Sequence, residues 1–203
     1  MSATKEKILE VSLNLFSERG FSAVSIRDIC KQVDIKESSI YYHFKNKQTI
    51  LEELLSRFQN TAAGMMNRLE HSLTTNQEPL SENFYQVVCD HFFEDYLMDD
   101  FCNRVIRLMM IEQFHNEQIK ETYDHWMFDV PLEFQSGIFA MLAGFGVIRN
   151  TDSDHLAVSY YAPIFLYAQK WLFCGTLSEE KKQAFRRDAY HHIHKFFSEL
   201  GGA

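Results

Sequence analysis

Only three prolines, Pro79, Pro131 and Pro163, and eight glycines punctuate these 203 residues, so long stretches hold nothing that stops a helix. Apolar residues recur through those stretches at three- and four-residue intervals, the period of a helix with one buried face. The expected fold class is therefore all-α, with about nine helices in all. The length allows one generous core, or a small domain joined to a larger one.

The N-terminal pattern is the most explicit. Thr4 is placed to cap a first helix carrying Ile8, Val11, Leu15 and Phe16 on one face, with Gly20 ending it. Ser25 and Asp28 have the spacing of a capping box that opens a short helix, its inner face Ile26, Ile29, Cys30 and Val33. A turn at Asp34 and Ile35 leads to a third helix over 37–44. There Ile40, Tyr41 and Phe44 are expected to face inward, with Ser38, Ser39, Tyr42 and His43 outward. Asn46 is a good N-cap for a longer fourth helix bearing Ile50, Leu51, Leu54, Leu55 and Phe58. Two short helices joined by a tight turn and braced by longer ones can bury one small core, leaving the polar face of the third helix over. Its serines, tyrosine and histidine, with a lysine on either side, suit phosphates and base edges.

The net charge of −8 hides an asymmetry. Residues 1–48 carry eight basic and six acidic side chains, a net +2, which leaves −10 for the remainder. The domain boundaries are drawn accordingly, 1–48 for a helix-turn-helix head and 49–203 for the body.

The stretch 8–54 resembles the N-terminal domain of the TetR family of bacterial regulators. Three segments carry the likeness in order: Leu15-Phe16-Ser17-Glu18-Arg19-Gly20-Phe21, Val24-Ser25-Ile26-Arg27-Asp28-Ile29, and Ser39-Ile40-Tyr41-Tyr42-His43-Phe44-Lys45-Asn46-Lys47. Asp34 stands where the family usually has a turn glycine, and tolerates a left-handed backbone better than most residues. The resemblance implies that Ser25 and Arg27 touch phosphate or a guanine, and that Lys36, Ser38, Ser39 and Tyr42 face the major groove of a double-stranded operator. It implies that Tyr41, His43 and Lys47 hold the DNA backbone. Glu37, a carboxylate where many relatives carry a neutral or basic residue, either accepts from a cytosine amino group or repels phosphate.

The body, 49–203, is expected to bind an effector and to dimerise. Helical patterns run over 65–73, 84–98, 101–114, 118–128 and 132–148, with loops at 74–79, 129–131 and 150–154. The penultimate helix is apolar nearly all round, which calls for burial on both sides, and Pro163 is expected to bend it or mark an irregular turn. The final helix opens at Ser178-Glu179-Glu180 and carries an apolar stripe. In the family this pair packs against its copy as a four-helix bundle, so Tyr161, Phe165, Ala168, Leu172, Ala189, Ile193 and Phe196 are the expected homodimer contacts. The aromatic and methionine-rich centre suits an apolar or aromatic small molecule, for which the resemblance implies Arg107, Phe114, Tyr123, Trp126 and Phe145 as lining residues. Arg104, Glu112 and His115 are further polar candidates there.

Other constellations weigh little. Of His191, His192 and His194 only two can converge within one helix, so they read as a solvated or interface face and no metal is expected. No GxSxG, P-loop or HExxH motif occurs, and neither an enzyme nor a cofactor is expected. No apolar run is long and uninterrupted enough for a membrane span or a secretory signal. Cys30, Cys89, Cys102 and Cys174 are dispersed in apolar patterns and read as reduced core residues, so the expected compartment is cytoplasmic. The expected function is a ligand-responsive DNA-binding transcription regulator, a homodimeric repressor released by its effector. The rival reading keeps the head and gives the body a protein partner instead of a small molecule.

Overall fold

A computed structural model describes residues 2–75, 89–149 and 152–201. They form nine α-helices and two π-helical turns, with no strand among the described residues. The helices are α1 (Ala3–Arg19), α2 (Ile26–Val33), α3 (Glu37–Ile40), α4 (Lys47–Thr75), α5 (Asp100–Glu112), α6 (Glu117–Asp124), α7 (Val130–Gly144), α8 (Ser153–Trp171) and α9 (Glu179–Gly201). The π turns are Phe93–Leu97 and His125–Asp129. The expected helix over 84–98 is helical from 89 to 97; its first residues, and most of the expected loop over 74–79, lie outside the described residues. No helix among those described is long and apolar enough to cross a membrane.

The backbone divides into two compact units, Met1–Lys120 and Glu121–Ala203. In the first, Ile8, Phe16, Ile29, Val33, Ile40, Phe44, Ile50, Leu51 and Leu54 are buried in the core of α1–α4. Its helix ends explain themselves locally. Ser2, not Thr4, caps α1, its hydroxyl accepting the Lys5 amide. The capping box of α2 is present in both directions between Ser25 and Asp28. Asp34 closes α2 in the left-handed region at φ 63°, ψ 52°. Asn46 accepts the Thr49 amide at 2.9 Å and caps α4.

Polar side chains tie α1 to α4 and α5. Arg57 pairs with Glu6 through both terminal nitrogens, at 2.8 and 2.9 Å, and with Glu53 at 3.1 Å. The Arg57 hydrogen bonds hold Glu6 below the usual carboxylate range. Burial alone would raise Glu53, but hydrogen bonds from Lys5 and Arg57 outweigh it and leave that carboxyl low as well. Arg104 of α5, a candidate for orienting an effector, is spoken for by Glu10 and Asp100.

The second unit holds α7, α8 and α9. The break expected at 129–131 is absent: the π turn His125–Asp129 runs straight into α7. A π turn widens the helical ring by one residue, and Pro131 then falls in the first turn of α7, where a missing N–H costs least. The Tyr161 hydroxyl donates to the Met127 carbonyl at 2.8 Å, and burial pushes that phenol far up. Pro163 sits within α8, between exposed Ala162 and buried Ile164. Ser178 caps α9 through the Lys181 amide.

Within the unit Tyr161, Ala168, Leu172, Ala189 and Ile193 are buried by the single chain, while Phe165 and Phe196 are half-buried. The large apolar residues that α8 turns outward are Val158 and Leu166. Among the cysteines, Cys30, Cys89 and Cys102 are buried as expected, but Cys174 is exposed, because it follows the end of α8 rather than lying in it.

Candidate nucleic-acid interface

The outward surface of the head is built on the turn at Asp34. A positive φ there turns the chain out of α2, and α3 starts at Glu37, whose side chain reaches back to Arg27 in the first turn of α2. The α3 helix is only four residues long. Its hydrogen bonds continue as tight turns, with the Tyr42 amide donating to the Ser39 carbonyl and the His43 amide to that of Ile40. One expectation is corrected here. Ile40 and Phe44 are buried, but Tyr41 is 55% exposed, and Tyr42 beside it is 88% exposed. The buried Ile40 and Phe44, four residues apart, define a narrow inner face, and Tyr41, about 100° round the axis from Ile40, falls outside it.

Around these tyrosines lie exposed Lys36, Glu37 and Ser38, with Ser39 and His43 half-buried. Ser25 and Arg27 are also exposed, at the start of α2. The Ser25 hydroxyl is engaged by Asp28, to which it donates at 2.6 Å and from whose amide it accepts. Arg27 donates through Nε to Glu37 Oε1 at 3.0 Å, and this hydrogen bond raises the already high pKa of the guanidinium. Glu37 is thus in contact with the cation expected to meet DNA.

Lys47 behaves differently from the expectation of a free phosphate ligand. Its ammonium donates to the carbonyls of Phe21 and Val24, both at 2.7 Å, and lies 4.2 Å above the Phe21 ring. Burial lowers its pKa, opposed by the charge of Glu112. Of its three protons two are used within the protein. Glu112 is expected at an effector site and Gly20 at a helix end. The structure brings both to the turn that Lys47 also holds.

The residues expected to line an effector site fall into different environments. Tyr123 is buried, with its phenol pushed up to about 12 by burial, and packs edge-on against Phe128. Arg107 and Trp126 are half-buried. Phe114 and Phe145 are 82% and 69% exposed. An open cleft of about 350 Å³ in the first unit is lined by Asn67, Arg68, His71, Ser72 and His91, none of them in the expected set.

A short helix that presents tyrosines, serines and a lysine to solvent, set behind a left-handed turn on a capped helix, is the recognition half of a helix-turn-helix, and the class it defines is the DNA-binding transcription regulators. Residues 8–54 match the family described as bacterial regulatory proteins, tetR family. The protein named "Probable HTH-type transcriptional regulator YttP" of Bacillus subtilis is 29% identical over 121 residues, 60% of this chain and 58% of that protein. The IcaR negative transcriptional regulator of the biofilm operon icaADBC in Staphylococcus epidermidis is 23% identical over 202 residues, 95% of this chain and 98% of that one. In fold, the structure of SmeT, the repressor of a Stenotrophomonas maltophilia multidrug efflux pump, superposes with a TM-score of 0.63 at 20% identity, covering 98% of this chain and 90% of SmeT. Residues 8–54 are thus of the kind found in the bacterial regulatory proteins of the tetR family, and the chain as a whole shares the fold of solved regulators of that type.

Proposed function

We propose that the chain is a homodimeric repressor whose α3 enters the major groove of each half of a two-fold operator, and which a small-molecule effector releases. The observation that carries the reading is the exposed pair Tyr41 and Tyr42, flanked by Lys36 and Ser38, on an element too short to hide them. Two-fold symmetry of the protein demands two-fold symmetry of the site. Dimerisation through α8 and α9 would place Val158 and Leu166 at the seam, with half-buried Phe165 and Phe196 beside it. Repression is supported by the negative regulator IcaR, which aligns along nearly the whole chain. The effector class that suits Tyr123 and Trp126 is apolar or aromatic.

Selection of duplexes from a random-sequence pool tests the reading. Recovered sequences should contain inverted repeats, and protected bases should fall in two major-groove patches about one helical turn, or a multiple of it, apart. Recovery of no preferred sequence overturns it. A protein partner in place of the small molecule is the second reading. It is favoured by the exposure of Ile111 and Phe114 at the end of α5, and of Phe145 and Val147 after α7.

Two substitutions report on the charges of the head. Glu37→Gln removes one negative charge from the DNA face and reduces the ion pair with Arg27 to a neutral-acceptor hydrogen bond that a phosphate can displace. Binding to non-specific duplex should tighten, and the slope of log affinity against log salt should steepen by about 0.9 for one phosphate gained. An unchanged slope means that Arg27 meets no phosphate. Lys47→Ala removes two charge-assisted hydrogen bonds to the turn. It should cost about 1.5–3 kcal/mol of stability in urea unfolding. If its third proton also reaches phosphate, the salt slope flattens by about 0.9.

A further inference from the structure

The turn between α1 and α2, residues 20–24, is held from outside the helix-turn-helix. Glu112, the last residue of α5, is 3% exposed. Its Oε1 accepts the Ser22 amide at 3.0 Å, and its Oε2 accepts the Ser22 hydroxyl at 2.8 Å. The approach is so close that a Cβ on Gly20 would lie 2.5 Å from Oε1. From α4, Lys47 binds the carbonyls of Phe21 and Val24, which bracket Ser22. Within five residues, the backbone is therefore gripped at 21, 22 and 24 by two oppositely charged side chains that approach from two helices.

Two considerations give this grip a role beyond holding the fold. A buried carboxylate is an expensive way to stabilise a turn, since its desolvation offsets most of what the hydrogen bonds return. What it supplies is direction: two fixed acceptors admit one placement of the Ser22 amide and hydroxyl. The next residue after the turn is Ser25, the N-cap of α2, and Arg27 follows in its first turn. Val24 is buried and its carbonyl is held, so no slack lies between the gripped turn and the residues that face DNA.

We propose that Glu112 is a positioning residue for DNA recognition, setting through Ser22 the placement at which α2 presents Ser25 and Arg27. It touches no DNA itself. The inference rests on the DNA-binding reading above, and its test separates the two.

The probes are the tightest duplex selected from a random pool by the wild-type protein and a scrambled duplex of equal length and composition. Glu112→Ala should weaken binding to the selected duplex by about 10- to 100-fold, the equivalent of hydrogen bonds to a charged group. Scrambled DNA, bound through charge alone, should change by less than about threefold. The Ser22 amide should lose its protection against hydrogen exchange in the same variant. Glu112→Gln, whose amide oxygen can still accept the Ser22 amide, should recover most of the lost affinity. Ser22→Ala removes one of the two bonds at an exposed residue and should cost about 2- to 10-fold on the selected duplex alone. This second variant decides the matter if Glu112→Ala does not fold. An unchanged ratio of selected to scrambled affinity overturns the inference, as does a parallel loss on both duplexes. A wild-type protein that selects no duplex overturns the DNA-binding reading itself, and the inference with it.

Discussion

Replacement of Gly20 by alanine is expected to destabilise the first unit by about 3 kcal/mol, although glycine-to-alanine changes at unstrained positions stabilise by about 0.4–1 kcal/mol. Two independent costs reverse the sign. The backbone at Gly20 has φ 84° and ψ 154°, a region that side chains other than glycine's hydrogen essentially do not occupy, and forcing alanine into it costs about 1–3 kcal/mol. The new methyl would also lie 2.5 Å from Glu112 Oε1 and 2.9 Å from Ile111 Cγ2. A carboxylate is normally the free end of a flexible side chain and could step aside cheaply. Here it cannot, because moving it breaks both bonds to Ser22. Overpacking of this kind costs about 1–3 kcal/mol more. Urea unfolding followed by helical signal should show the midpoint falling with its slope unchanged. A variant within about 0.5 kcal/mol of the parent, the scatter of ordinary surface changes, would mean that the turn does not approach α5 in this way.

That contact also marks where the sequence stops being readable. The capping box of Ser25 and Asp28, the left-handed Asp34 and the Asn46 cap were legible because each is settled by chemistry within three residues. The buried stripe of α1 and α4 was legible because long helices repeat their period often enough to fix its phase. Tyr41 is the opposite case: α3 has one turn, too few periods to fix which residues beside Ile40 and Phe44 lie inside. Pro131 suggested a break because the rule for proline presumes ordinary helical spacing, and the π turn before it removes that premise. Ser22 and Glu112 are ninety residues apart. Neither carries a local signal of the other, and Glu112 passed for a polar group of an effector site because only tertiary packing says where a helix end points. Phe114 and Phe145 show the same limit, since an aromatic at helical spacing can face a cavity or solvent with the same neighbours in sequence.

Tyr42→Ala is expected to weaken binding to the selected duplex by about 1–3 kcal/mol, or roughly 5- to 150-fold, while leaving the unfolding midpoint unchanged. The two halves of that expectation come from one number. At 88% exposure the ring contributes almost nothing to the core, so its removal leaves no cavity and no unpaired group. The same exposure leaves nearly the whole ring available to base edges, a thymine methyl or sugar. Tyr41, at 55%, has less surface to give, and its truncation should cost less in affinity and more in stability. Tyr42→Phe separates the phenol from the ring. Retained affinity would mean that the contact is apolar, whereas loss equal to that of alanine would assign it to the hydroxyl and hence to a phosphate or base acceptor. In the second case the identity of the acceptor follows from the pattern of the loss. A phosphate contact lowers affinity uniformly across duplexes, and a base contact lowers it only where that base is present. Full affinity in Tyr42→Ala would remove the most exposed residue of α3 from the interface, and with it the claim that this face of the head is the one that reads DNA.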